Sequence, residues 1–159
     1  MPNAAFLSIN IRDHWIRHKN FVGVLGWTGE INTMADNDDF WFEIVPGLAN
    51  PADESLISFR ATNANLRSHY LRHQGYEIKL MPRPSVPSQD PLFDADATFI
   101  QRPGLADVSK SSFVAAKLGG QDRHDRFIRH RNFKLFIEPR GADVNLEKDA
   151  TFEVRAKVT

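Results

Sequence analysis

Three histidines and three aspartates recur in order along the 159-residue chain: His18 with Asp39, His73 with Asp96, and His130 with Asp149. The members of each pair stand 21, 23 and 19 residues apart. An ionised carboxylate accepts hydrogen bonds from two neighbouring hydroxyls, while an imidazole supplies a donor. One Asp and one His are therefore a minimal set for a ligand rich in hydroxyl groups. A hydrogen bond to a charged group contributes about 1.5–3 kcal/mol net, set against lost rigid-body freedom and polar desolvation. Each such site is predicted to bind weakly, and three on one body to bind a ligand of repeating units better than a single unit.

The same residues fit blander roles. A repeated His can be a core residue bonded to backbone, and a repeated Asp before a strand can be a turn cap. His14 with His18 and His69 with His73 have the four-residue spacing of a helical zinc pair. On a strand, however, four residues span about 13 Å, and Arg126 replaces the upstream His in the third copy, so no metal is expected. Neighbouring carboxylates, Asp38 with Asp39 and Asp94 with Asp96, read as solvated turns, not as the flanking acid pair of a glycosidase. No catalytic residue is assigned. Gly119-Gly120 lacks any phosphate-loop context and reads as a turn, and no cofactor is implied.

The elements that would position these residues also repeat. WIRH, YLRH and FIRH begin at 15, 70 and 127. Each runs into a further β-like segment, NFVGVL from Asn20, GYEIKL from Gly75 and NFKLFI from Asn132. Each then reaches an Asp three residues before a Phe, in DFWF, DATF and DATF. PGLA recurs at 46–49 and 103–106, followed by opening strands near LISFR and SFVAAK that match the N-terminal AFLSI. Each unit holds about four strands rich in β-branched and aromatic residues, for example Phe6–Ile9, Trp15–His18, Phe21–Leu25 and Phe40–Val45. Three such units predict one all-β domain over 1–159, a β-trefoil with repeats of about 4–52, 53–109 and 110–159, because propellers typically use at least four blades. No amphipathic helix is expected, and the proline-rich 81–91 reads as an elaborated loop. Arg17, Arg72 and Arg129 alternate with the histidines, so they are expected on the opposite face, paired with carboxylates. Trp15, Tyr70 and Phe127, or Phe21, Tyr76 and Phe133, either pack in the core or wall a ligand site.

Composition narrows the partners. Hydrophobic residues make up 42% and charged residues 25%, ordinary values for a globular chain. Lys plus Arg equals Asp plus Glu at 20 each, leaving no excess positive charge for nucleic acid. The absence of cysteine rules out disulfides and thiolate metal sites. No apolar run is long enough for a membrane span, and MPNAAFLSIN lacks a secretory pattern.

FIRHRNF (127–133) with KDATF (148–152), and YLRH (70–73) with LFDADATF (92–99), resemble the repeat signature of the arabinose-binding module of α-L-arabinofuranosidases, carbohydrate-binding module family 42. The likeness extends over nearly the whole chain. It implies a β-trefoil with up to three shallow pockets for L-arabinofuranose side chains of hemicellulose such as arabinoxylan or arabinan. By that resemblance the polar contacts are His18, Asp39, His73, Asp96, His130 and Asp149. The third copy matches best, and the first, with DFWF, matches least. The resemblance implies a binding module, not an enzyme, working beside a glycoside hydrolase or other protein, and extracellular if it serves a hemicellulase. The alternative expectation is a β-trefoil protein-binding scaffold or inhibitor that has lost sugar binding.

Overall fold

In the computed structural model, residues 3–28 and 36–157 are described. Fourteen strands and two one-turn helices follow in order. They are β1 (Asn3–Ser8), β2 (His14–Lys19), β3 (Val22–Trp27), β4 (Phe42–Pro46), β5 (Ile57–Ala61), β6 (His69–Gln74), β7 (Glu77–Pro82), α1 (Phe93–Asp96), β8 (Phe99–Pro103), β9 (Ser111–Ala115), β10 (Lys117–Leu118), β11 (Gln121–Asp122), β12 (Arg126–Arg131), β13 (Lys134–Pro139), α2 (Leu146–Asp149) and β14 (Phe152–Ala156).

Twelve strands form one antiparallel sheet that closes on itself, and β10–β11 is a separate two-stranded hairpin. The twelve fall into three groups of four with equivalent pairings. In each group the middle strands make a hairpin six residue pairs long: β2–β3, β6–β7 and β12–β13. The three hairpins pair with one another through Val24 and Lys134, Val22 and Lys79, and Glu77 and Phe136. The outer strands join each group to the next by five-residue ladders, β1–β14, β4–β5 and β8–β9.

Equivalent side chains meet in the centre. Phe6, Phe59 and Phe113, from the opening strands of the three groups, form a triangle of edge-to-face rings with centroids 5.3–5.5 Å apart. Each such contact contributes about 0.5–1.5 kcal/mol beyond the area buried. Ile16, Leu71 and Ile128, then Leu25, Leu80 and Ile137, then Phe42, Phe99 and Phe152 complete the cluster. Strand alternation explains the choice: positions two apart point the same way, so Phe6 and Ala4 face inward together.

Several expected boundaries move. Asn20-Phe21, Gly75-Tyr76 and Asn132-Phe133 do not open strands; they are two-residue hairpin turns in which every residue has φ between 52° and 65°. That is the backbone of a type I′ turn, whose twist matches the strands on either side. The segment expected as a strand from Phe40 starts at Phe42, because Asp38–Phe40 is a 3-10 turn capped by the Asn37 side chain. Although no amphipathic helix was expected, α1 and α2 are helical for four residues each, and each ends on the motif Asp. The 81–91 segment starts inside β7 and then loops through a 3-10 turn at Pro87–Gln89.

The PGLA repeat has a packing reason. A Cβ on Gly104 would lie 2.3 Å from the Asp107 carbonyl oxygen, and one on Gly47 would press on Leu56. Close chain approach there lets Thr98 and Thr151 bond both ways. Each hydroxyl donates to a one-turn helix, at the Asp94 or Glu147 carbonyl, and accepts from the Ala49 or Ala106 N–H of the PGLA loop.

Candidate functional site

Each expected His and Asp pair is brought together. His18 Nε2 lies 3.6 Å from Asp39 Oδ1, His73 Nε2 3.8 Å from Asp96 Oδ1, and His130 Nε2 3.5 Å from Asp149 Oδ1. The histidine comes from the first strand of a hairpin, and the aspartate from the short turn that precedes the last strand of the same group. All three imidazoles are buried.

The arginine beside each histidine reaches the same carboxylate, which corrects the expectation that the two residues serve opposite faces. Arg17 donates to Asp39 Oδ2 at 2.7 Å, and Arg72 and Arg129 donate to Asp96 Oδ2 and Asp149 Oδ2. Alternation along the strand holds for the backbone, but the long guanidinium stem curls back under the turn, and its Nε donates to the histidine's own carbonyl in all three copies. Asp39 and Asp96 are accordingly not solvated turn residues: the Asp39 side chain is 30% exposed and that of Asp96 9%. Their neighbours behave differently, Asp94 pairing with Arg83 and Asp38 lying at the surface.

A second carboxylate backs the arginine in two clusters. Asp90 joins Asp96 on Arg72, and Asp143 with Glu138 joins Asp149 on Arg129. Both added aspartates stand six residues before the motif Asp; the matching position in the first copy is Thr33, outside the described residues. That spacing was available in the sequence. Burial opposes the charge on Arg129, but its three carboxylates outweigh it and hold the guanidinium well above its ordinary range. In return Arg129 and backbone N–H groups hold Asp143 below the usual carboxylate range.

Two asparagines went unrecognised. His18 Nε2 bonds Asn63 Oδ1 at 2.9 Å while Asn63 Nδ2 donates to Asp39 Oδ1 at 2.9 Å. His130 Nε2 bonds Asn10 Oδ1 at 2.8 Å while Asn10 Nδ2 donates to Asp149 Oδ1 at 2.6 Å. Each asparagine arrives from a neighbouring group, two residues after its opening strand ends. The equivalent of Asn10 and Asn63 after β9 is Lys117, and there the chain turns into β10. His73 Nε2 donates instead to the Lys117 carbonyl at 2.9 Å. Aligning Phe6, Phe59 and Phe113 and counting four residues on would have found all three.

Burial, the first cause in each case, holds His73 and His130 below the ordinary imidazole value despite the carboxylate beside each. Burial likewise raises Asp96 against the pull of His73 and Arg72. In the second cluster Arg72, His73 and Asp96 line an open cavity of about 750 Å³ with Tyr76, Leu118 and Gly119.

The aromatics separate by burial. Trp15, Tyr70 and Phe127 are buried, whereas Phe21, Tyr76 and Phe133 are about half exposed at the hairpin tips. Each tip ring rests on the next group: Phe21 on His69, Tyr76 on Arg126 and Phe133 on His14. Their carbonyls accept from Leu80, Ile137 and Leu25, all at 2.9 Å. These bonds hold bulky residues in a left-handed backbone they rarely adopt. DFWF in the first copy is also explained. Phe40 lies under Arg17, 4.8 Å from its Cζ, as Phe93 lies under Arg72 at 5.1 Å.

The chain is thus an all-β protein carrying three polar clusters of matching design. Residues 4–154 match the model of the Alpha-L-arabinofuranosidase B (ABFB) domain, and the chain belongs to that family. It is 33% identical over 98 residues to a probable alpha-L-arabinofuranosidase B of Aspergillus clavatus, covering 62% of this chain and 18% of that protein. It is 29% identical over 119 residues to an arabinofuranosidase/B-xylosidase of Trichoderma koningii, covering 74% of this chain and 22% of that one. It therefore spans about a fifth of the length of these relatives. Among solved structures, an arabinofuranosidase complexed with arabinofuranosyl-alpha-1,2-xylobiose superposes with a TM-score of 0.75 at 16% identity, over 98% of this chain and 31% of that one.

Proposed function

We propose that the chain is a non-catalytic β-trefoil module of carbohydrate-binding module family 42, one domain of three units, that recognises L-arabinofuranose side chains of hemicellulose such as arabinoxylan and arabinan. The observation that carries this reading is the repeated cluster in which an arginine fixes a carboxylate beside a histidine ring. A fixed carboxylate accepts from sugar hydroxyls without first having to be ordered, and pre-organisation of this kind lowers the cost of binding. Family membership and the arabinofuranosidase relatives agree with it. The proposed contact residues are drawn from the three pairs, His18 with Asp39, His73 with Asp96 and His130 with Asp149, with a glycoside hydrolase as the natural partner protein and an extracellular setting if it serves one.

A second reading, a β-trefoil scaffold for protein binding, draws on the internal satisfaction of Asp39 and Asp149, whose two oxygens each accept bonds from the chain. Retardation in gels containing arabinoxylan separates the two. The sugar-binding reading expects slowed migration that disappears when the arabinose branches are removed enzymatically. Equal migration in both gels would support the scaffold.

A further inference from the structure

The three clusters differ in what reaches the second carboxylate oxygen. In the first and third, the amide of Asn63 or Asn10 is wedged between His and Asp and donates to Oδ1. In the second, Arg72 holds Asp96 Oδ2, but Oδ1 receives no hydrogen bond from any described residue. Lys117 sends its ammonium away to Asp122 at 2.8 Å. Its carbonyl accepts a hydrogen bond from His73 Nε2–H, so that ring nitrogen is committed as a donor and cannot accept from a ligand.

The surroundings diverge as well. After β9 the chain builds the β10–β11 hairpin, and Leu118 and Gly119 from it form one wall of the 750 Å³ cavity, with Tyr76 among its other lining residues. That volume is in the range of small-molecule sites, roughly 300–1,000 Å³, and exceeds what one five-carbon sugar fills. Exposure alone ranks the carboxylates otherwise, with side chains 30%, 9% and 12% exposed for Asp39, Asp96 and Asp149. Donor supply decides more, since a nearly buried carboxylate oxygen without a donor from the chain gains most from a ligand hydroxyl.

We propose that ligand recognition is concentrated in the second cluster, where an arabinofuranosyl unit still joined to the sugar that carries it enters the cavity and donates a hydroxyl to Asp96 Oδ1. Asn10 and Asn63 fill the equivalent acceptor in the other two clusters, which serve as struts between groups. This rests on the arabinofuranose-binding reading above.

Histidine ring resonances of the intact chain, followed by NMR during titration with an arabinofuranosyl xylo-oligosaccharide, test it. The expected result is movement of the His73 ring alone among His18, His73 and His130, saturating at one ligand per chain. Asp96→Asn, which keeps the shape of the side chain, is expected to weaken binding by about ten- to a hundredfold; should it misfold, the parent titration decides alone. Movement of His18 or His130, or saturation at two or three ligands, overturns this assignment while leaving the sugar-binding reading intact. No response from any of the three, with no heat of binding, removes both.

Discussion

Arg129 is 2% exposed and meets three carboxylates, Glu138, Asp143 and Asp149. Removing one partner of a buried ionic cluster leaves uncompensated charge, at a cost of about 3–5 kcal/mol. Arg129→Met is therefore expected to destabilise the fold by that amount. Arg17→Met should cost less, about 1–3 kcal/mol, because Arg17 is 19% exposed and, among the described residues, has one carboxylate partner, Asp39. Urea denaturation of both variants checks this, and equal losses would contradict the account. The histidines predict a pH dependence. Burial depresses His73 and His130, so below about pH 6.5 the unfolded chain binds protons that the folded chain resists, and stability falls as pH drops. Asp96, raised by burial, works in the opposite sense above about pH 4. The melting temperature is expected to be lower at pH 5 than at pH 7, with a shallower slope in His130→Gln, whose amide can still donate to Asn10. An unchanged slope in that variant would assign the effect elsewhere.

At the level of elements, the hairpins were legible but their tips were not. The apolar pattern runs unbroken from Phe21 or Tyr76 into the following strand, and neither Asn-Phe nor Gly-Tyr is the usual Asn-Gly signal. The positive φ of both residues, and the pairing of Lys19 with Val22 and of Gln74 with Glu77 across them, show that the chain has turned. Gly75 stands where the other two hairpins have Asn, at φ 59° with nothing within 4 Å of an added Cβ. Gly75→Asn is thus expected to leave stability nearly unchanged, while Gly75→Val should cost about 1–2 kcal/mol from backbone strain alone. Thermal unfolding distinguishes these, and a tolerated valine would argue against the turn geometry. The helical turns that end on Asp96 and Asp149 escaped notice for a different reason. Four residues complete barely one turn, too short for a 3.6-residue period to register. The asparagines escaped because their partners lie 45 and 120 residues away in another group.

Across the whole molecule, the threefold order was readable because it is written at equivalent positions. The Phe6, Phe59 and Phe113 triangle sits in the opening strands, the histidines lie in the first strand of each hairpin, and the aspartates follow the hairpins. The copies read as unequal in the sequence, but the structure ranks them differently. The third matches the family signature best by sequence, yet its Asp149 is bonded on both oxygens from within the chain, and the large cavity belongs to the second. A repeat enforces the positions that close the sheet, whereas an insertion such as β10–β11 reshapes one site without disturbing the ladder. Calorimetric titration of the parent chain with an L-arabinofuranosyl oligosaccharide tests the central claim most directly. Binding of modest affinity, lost in Asp96→Ala while the fold is retained, is the predicted result. No heat at millimolar sugar would contradict the sugar-binding account and leave the protein-binding scaffold in its place.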